Sequence, residues 1–219
     1  GVLTCTGADG TLAAYTHATT GLLESGNAIS FDLTDNTLNQ AQVTSLIALS
    51  AKTTGTITLD PANNNASPTI SATMADLLTV FADAGIAGKG GAAGTVTISD
   101  AGSVNAADLI TLNTAVTPAL VAANITNITG TIADLQTVYD AAEGVGATIT
   151  AANLGNESVT VTDLDVLASA LKTFVTADGA GVTRETSGAI TVISSGITGS
   201  YADVNDMLTL SAAGNINLT

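Results

Sequence analysis

The sequence predicts an α/β fold made of repeated strand–helix units, with a mainly parallel sheet. Two observations support this prediction. First, a helix-start pattern recurs along the chain: a capping Ser, Thr or Asn, then Asp three residues later, with apolar residues following at helical spacing. Second, short β-branched runs bounded by Gly, Asn or Asp lie between these helix starts.

The clearest unit is Ile128–Glu143. Thr131 can accept hydrogen bonds from the free N–H groups of a helix start, and Asp134 stands where the helix dipole favours negative charge. The residues expected to form the buried face of this helix are Ile132, Leu135, Val138 and Tyr139.

Similar helix starts occur elsewhere, at spacings from 26 to 40 residues, so the units tolerate loop insertions. Their caps are Asn39, Thr73, Asn105, Thr160 and Ser200. The Asp that follows the cap is Asp76, Asp108, Asp163 or Asp203, and Gln42 takes its place in the first unit. The apolar residues predicted to be buried in the last two helices are Leu164, Leu167 and Leu171, then Val204, Met207 and Leu208.

The predicted strands are short and rich in β-branched residues: Ile29–Leu33, Thr56–Leu59, Thr95–Ile98, Thr148–Thr150, Val159–Val161, Ile190–Ile193 and Ile216–Leu218. Neither a strand nor a helix of this kind can bury its apolar face alone, so stacking of the units should create the core. We therefore expect residues 1–219 to form one domain, an irregular solenoid whose right-handedness follows from the crossover rule. The alternative is a compact α/β sandwich with a mixed sheet. In either case the last strand should leave an open sheet edge.

The chain is strongly acidic, with a formal net charge of −15 from nineteen acidic and four basic residues. Binding to nucleic acid and binding to an anionic membrane face both need clustered Lys and Arg. We therefore expect neither kind of binding. No apolar run reaches the length of a membrane span. The abundance of Thr and the scarcity of Lys favour an extracellular or cell-surface location.

Reactive residues are few and isolated. His17 is the only histidine and Cys5 the only cysteine, and neither has partners nearby in sequence for catalysis or metal binding. Lys89 lies in a Gly-rich loop, but the order of a phosphate-binding loop is absent. The recurring Asp has a sufficient reason in helix capping. We therefore predict no enzyme activity and no catalytic, cofactor-binding or metal-ligating residue.

Two polar patterns leave ligand binding open. Asp60 with Asn63, Asn64 and Asn65 offers oxygen ligands that suit calcium, although a turn without metal is the preferred interpretation. Thr-x-Thr pairs, if stacked in register, would form a flat ladder similar to that of ice-binding β-helices. These pairs are Thr56/Thr58, Thr95/Thr97, Thr148/Thr150 and Thr160/Thr162.

A phrase of the form Ile-x-Gly/Ala-Thr/Ser-x-Ala-Asp-Leu/Val occurs at Ile70–Leu77, Ile128–Leu135 and Ile197–Val204. It resembles the repeats of long secreted cell-surface proteins of bacteria and cyanobacteria, which are haemolysin-like, adhesin-like or S-layer-like. The resemblance implies a structural motif, and no functional residue carries over. The expected function is that of an extracellular structural or adhesive repeat protein, a subunit or segment of a bacterial surface layer or filament, acting by self-assembly. The alternative is a binding module for carbohydrate, calcium or ice, with an extracellular polysaccharide as a further partner.

Overall fold

The fold is α/β with parallel sheets, as the sequence predicts. In a computed structural model of the chain, helices alternate with short strands, and every strand pair among the described residues is parallel. The structure describes residues 4–5, 9–15, 28–60, 67–89, 94–117, 120–122, 124–142, 148–149, 158–176, 190–212 and 216–219.

The helices of the described residues are nine to twelve residues long, apart from a short 3₁₀ helix at Leu12–Tyr15. They are α1 (Gln40–Ser50), α2 (Met74–Ala82), α3 (Ala106–Ala115), α4 (Ile132–Ala142), α5 (Ala168–Thr176) and α6 (Tyr201–Ala212). The strands are β1 (Thr4–Cys5), β2 (Asp9–Gly10), β3 (Ala28–Ile29), β4 (Phe31–Leu33), β5 (Thr37–Leu38), β6 (Ile57–Leu59), β7 (Thr69–Ala72), β8 (Ile86–Ala87), β9 (Val96–Ile98), β10 (Ser103–Asn105), β11 (Leu120–Val121), β12 (Asn127–Gly130), β13 (Ser158–Val161), β14 (Asp165–Leu167), β15 (Ile190–Val192), β16 (Gly196–Thr198) and β17 (Ile216–Leu218).

The described residues fall into two compact units. Unit 1 is drawn from Gly1–Ser99 and Thr111–Val121, and unit 2 from Asp100–Ile110 and Ala122–Thr219. Each sheet lies within one unit, and the two are described separately below. The single domain and the solenoid stay predictions.

Unit 1 contains two four-stranded sheets whose strands alternate along the chain. One has the order β2-β4-β6-β8 and the other β11-β9-β7-β5, with a further pair β1-β3. Strand order follows chain order, so each successive repeat adds one strand to each sheet. The second sheet buries one aliphatic residue from each strand in register: Leu38, Ile70, Val96 and Leu120.

Unit 2 contains a five-stranded sheet in the order β10-β12-β13-β15-β17 and a pair β14-β16. One row of buried aliphatic residues runs across all five strands in register: Val104, Ile128, Val159, Ile190 and Ile216. Complete burial of a residue of this kind stabilises a fold by about 1.5–3 kcal/mol. Rows of this kind, built without aromatic residues, supply much of the core.

Most predicted strands are confirmed, and the structure adds a second strand to most repeats. The described strands that fall outside the predicted runs are β1, β2, β5, β7, β8, β10, β11, β12, β14 and β16. The predicted strand Thr148–Thr150 is wrong for its described part, because Ile149 forms only an isolated bridge and Thr150 lies outside the described residues.

The predicted caps at Asn39, Thr73, Thr131 and Ser200 are confirmed. In each case the side-chain oxygen accepts a hydrogen bond from the backbone N–H three residues on, at 3.1, 3.4, 3.1 and 3.2 Å respectively. Asn105 is also a cap, although its Oδ1 accepts from the Ala107 N–H, two residues on, at 2.8 Å. These bonds satisfy amide groups that the first helical turn leaves free.

The predicted cap at Thr160 is wrong. Thr160 lies inside β13 in register with Thr129 and Thr191, and α5 begins only at Ala168. The residues between form the additional strand β14. Leu164 and Leu167, expected to be buried on a helix, are therefore exposed, while Leu171 is buried as predicted.

Candidate functional site

The outer face of α6 differs from the same position in the earlier helices. Counting five residues on from the recurring Asp gives Phe81 in α2, the half-buried Asn113 in α3, Tyr139 in α4 and Leu208 in α6. Phe81 is 9% exposed and Tyr139 6% exposed, but Leu208 is 56% exposed. The prediction that Leu208 is buried is therefore wrong, because more than half of its surface is left uncovered in the structure.

The structure shows what covers this position in α4. The ring of Tyr139 meets the ring of Phe174 from α5 edge to face, with centroids 6.0 Å apart. Such an arrangement is favourable beyond the apolar area it buries. At this position of α4, a large apolar residue of the next helix thus completes the packing.

On its other side, α6 packs against α5 and β17. Met207 is completely buried there, and the Asp206 carboxylate forms an ion pair with the Lys172 ammonium of α5 at 2.5 Å. The pKa of Lys172 is raised by its hydrogen bond to Asp206 and by the attraction of the same charge. These contacts hold α6 against α5 and β17.

The most exposed residues of α6 are uncharged, although the Asp206 side chain beside them is 45% exposed. Its exposed residues are Tyr201, Ala202, Asn205, Leu208, Thr209 and Ala212. Tyr201, 88% exposed, stands two turns before Leu208, so the two side chains share one stripe. In a chain of net charge −15, an uncharged stripe with two large apolar side chains is an unusual surface.

Exposed large apolar residues concentrate in unit 2. In the part of the chain that the structure describes they are Leu164, Leu167, Ile193, Tyr201 and Leu208. Unit 1 has none among its described residues. Sequence reasoning missed Tyr201 altogether, although its seven-residue spacing from Leu208 is visible in the sequence.

The outer edge of β17 lies at the same end of unit 2. The Thr219 N–H donates to the Val192 carbonyl at 3.1 Å, which fixes the side of the strand that faces β15. By the alternation of a strand, the N–H of Leu218 points the other way. No described strand pairs with that side, so the predicted open edge is present among the described residues.

A comparison with protein-family models, with curated proteins and with solved structures finds no match to this chain. The function therefore has to be inferred from the surfaces of the molecule itself. Of the helices in the described ranges, none has both the length and the apolarity needed to cross a membrane.

A shallow cleft of about 430 Å³ lies between α4, β14 and α5. Its lining combines Ile132, Gln136 and Leu167 with two carboxylates, Asp163 and Asp165. Asp163 is not available as an independent ligand, because its Oδ2 accepts from the Ile132 N–H at 2.8 Å and so caps α4. Asp163 therefore does cap a helix start, but the helix is α4 of the preceding repeat.

The predicted Thr ladder is not formed by the predicted pairs. Thr58 stands beside Asp32 and Ala87 in one sheet, and Thr97 stands beside Ser71 and Val121 in another. A different ladder exists on the five-stranded sheet of unit 2, on the side opposite its buried aliphatic row. It comprises Thr129, Thr160 and Thr191, with Asn105 and Asn217 at its ends.

Lys89 has a structural role at the end of α2. Its Nζ donates to the Val80 carbonyl at 2.9 Å and also to the Asp83 carbonyl, so it supplements the hydrogen bonds of the last helical turn. Burial lowers the pKa of Lys89, although the attraction of Asp83 acts in the opposite direction. The lysine of the Gly-rich segment is thus committed to a helix end.

Other residues of chemical interest lie largely outside the described ranges. His17, Asn63, Asn64 and Asn65 fall outside them, and Cys5 is described only as backbone of β1. Within the described residues, no group of three or more His, Cys, Asp or Glu side chains could hold a metal ion. For Asp60 and its neighbours, the preferred interpretation of a turn without metal and the alternative of calcium binding therefore both stay untested.

Proposed function

We propose that this protein is an extracellular structural or adhesive repeat protein of a bacterial surface layer or filament, acting by self-assembly. The observation that supports the proposal is the uncovered end of unit 2. Leu208 is exposed at a repeat position that is buried in α2 and α4, and the N–H of Leu218 faces an open edge.

Covering this end is energetically favourable. A large apolar side chain gains about 1.5–3 kcal/mol when it passes from water into a packed interface. Tyr201 and Leu208 stand together on one stripe, so one contact would bury both. Tyr and Leu at the centre of a contact are the kind of residues that hold two proteins together, particularly Tyr, which is enriched at interfaces.

Charge limits where such a contact can form. Two copies, each of net charge −15, repel one another when acidic surfaces meet. The most exposed residues of α6 are uncharged, and the Asp206 side chain beside them, 45% exposed, is paired with Lys172, so repulsion between two copies is reduced at this face. Added salt should strengthen the association, because it screens the repulsion that remains.

The experiment is sedimentation velocity of the purified chain over a wide concentration range, at low and moderate salt. Wild type should form multimers as concentration rises, and Leu208→Ser should raise the dissociation constant at least tenfold. Leu164→Ser is the matched control, because Leu164 is exposed in the same unit but does not lie on α6. A wild type that stays monomeric at the highest concentration would contradict the proposal.

The Thr ladder of unit 2 favours a second candidate function, binding to a regular surface such as a polysaccharide or ice. Its hydroxyl groups repeat at the strand spacing of about 4.8 Å and carry no charge. Thr160→Lys, in the middle of the ladder, should abolish adsorption to insoluble polysaccharide or the inhibition of ice growth. Thr137→Lys on the exposed face of α4 is the control.

A further inference from the structure

We infer that the free edge of β14, together with the cleft beside it, is a docking site for an extended peptide segment of a partner protein. This segment carries a basic and an apolar side chain two residues apart. The inference goes beyond the proposed function and does not depend on it, because it concerns neither the α6 face nor a contact between copies.

The free edge arises from a change of the repeat inside unit 2. β12 ends at Gly130 and α4 begins at Ile132, whereas the additional strand β14 stands between β13 and the start of α5 at Ala168. β14 therefore has no counterpart in the α4 repeat, and among the described strands it pairs only with β16. The space that remains between α4, β14 and α5 is the cleft of about 430 Å³.

The backbone of β14 presents hydrogen-bonding groups on this side. The Ser195 N–H, just before β16, donates to the Leu164 carbonyl at 2.9 Å, which fixes the side of β14 that faces β16. By the alternation of a strand, the N–H groups of Asp165 and Leu167 point the other way. A strand edge with such groups pairs with an added peptide strand through main-chain hydrogen bonds.

The side chains of the same two residues determine which strand fits. Asp165 and Leu167 are exposed and line the cleft, while Val166 between them is completely buried. Alternate residues of a strand are about 6.6 Å apart, so two alternate side chains of an added strand stand beside Asp165 and Leu167. The first should be Lys or Arg, to pair with the carboxylate, and the second should be apolar. The residue between them faces the buried side and should be small.

The charge around the cleft favours a basic segment. None of the described residues that line it is basic, and Lys172 of α5 is paired with α6 instead. The polar neighbours of Asp165 donate elsewhere: the Gln136 amide donates to Asp140 at 2.7 Å, and the Thr173 hydroxyl donates to a backbone carbonyl of α5 at 2.9 Å. A chain of net charge −15 also attracts basic segments from solution.

The walls of the cleft provide the apolar part of the site. Ile132 and Ala133 of α4 and Ala170 of α5 line it together with Leu167. Its volume lies within the range of about 300–1,000 Å³ that is typical of ligand pockets. An apolar side chain of the added strand can therefore be buried between the two helices while its backbone pairs with β14.

The probe is the capped peptide acetyl-Val-Ala-Lys-Ala-Val-amide, which places an apolar residue two positions from Lys in either strand direction. It is titrated into the isotopically labelled chain, and amide chemical shifts are followed by NMR. The shifts of Asp165 and Leu167 should change with saturable dependence on peptide concentration. The same peptide with Glu in place of Lys should bind at least about tenfold more weakly, because it brings like charges together.

Variants separate the backbone edge from the side chains. Leu167→Pro removes the N–H that faces the free edge, so it should bind the Lys peptide about fivefold more weakly than Leu167→Ala, which keeps that N–H. Asp165→Asn should remove most of the preference for Lys over Glu. Thr198→Pro is the matched control, because the Thr198 N–H of β16 points away from β14, and it should bind as wild type does.

Three results would overturn the inference. They are a wild type that does not bind the Lys peptide at millimolar concentration, equal binding of the Lys and Glu peptides, and equal binding by Leu167→Pro and Leu167→Ala. Circular dichroism of each variant checks that the fold is kept, and Asp165→Asn tests the site without any change to the backbone. Leu208→Ser should bind the peptide as wild type does, so peptide binding and self-assembly can fail independently of each other.

Discussion

The buried row of the five-stranded sheet should control the stability of unit 2. Ile128 is completely buried, in register between Val104 and Val159. Ile128→Val removes one methyl group and should cost about 1 kcal/mol of unfolding free energy, whereas Ile128→Ala adds a cavity and should cost about 3–4 kcal/mol. For a chain of this size, the larger cost corresponds to a fall in melting temperature of roughly 6–16 °C.

The measurement is urea denaturation followed by far-UV circular dichroism, with the melting temperature from a thermal scan. Thr191→Ala is the control, because Thr191 belongs to the same sheet but to the outward ladder. It should change the unfolding free energy by less than about 0.5 kcal/mol. Equal losses for Ile128→Ala and Thr191→Ala would refute the assigned alternation of inward and outward residues.

Three further predictions concern contacts between neighbouring segments. Asp163→Ala should cost about 1 kcal/mol in urea denaturation, because the Ile132 N–H loses its acceptor, whereas Asp165→Ala should cost less; equal costs would contradict the assigned cap. A Cβ added at Gly130 would lie 2.7 Å from the Ala106 Cβ, so Gly130→Ala should destabilise by about 1–3 kcal/mol, and Ala106→Gly in the same chain should restore most of the loss. The pKa of Lys89 is lowered by burial, so above that lowered value the unfolded chain binds more protons than the folded one. Stability should therefore rise with pH up to the unfolded-state pKa near 10.5, and Lys89→Met should lack that rise in denaturation curves measured across the range.

The helix starts were predictable because a cap acts locally. Thr131 and Ser200 each need only a hydroxyl and an amide three residues on, and both the residue types and the spacing are visible in the sequence. The parallel strands were predictable for a related reason. Short β-branched runs separated by helices can pair only after a crossover, and a crossover yields parallel strands.

Local patterns fail where tertiary pairing decides. Thr160-Val-Thr-Asp163 followed by Leu164 has the form of a helix start, but its Val159 and Val161 complete the buried face of a central strand. Pairing with β12 and β15 on both sides outweighs a cap that satisfies one or two amide groups. The sequence around Leu208 also resembles that of the other helices, so it does not reveal that Leu208 is exposed. Burial of this position depends on whether another helix packs against it.

The hydrogen bonds of the recurring Asp residues give a structural reason for their place in the helix starts. Asp134 receives the Thr131 hydroxyl at 2.8 Å, and Asp203 receives the Ser200 hydroxyl in the same way. Asp76 instead accepts from the Gln40 side chain of α1, whose Oε1 in turn accepts from the Thr73 N–H at 2.7 Å. These carboxylates therefore join a helix start to its own cap or to the preceding helix.

The central claim about this protein is that the end of unit 2 is a contact surface between copies. Sedimentation equilibrium of wild type and Tyr201→Ser/Leu208→Ser, measured at matched concentrations, tests it most directly. Wild type should associate more as its concentration rises, and the double variant should stay a monomer with unchanged circular dichroism. A monomeric wild type, or a double variant that associates as tightly as wild type, would contradict it.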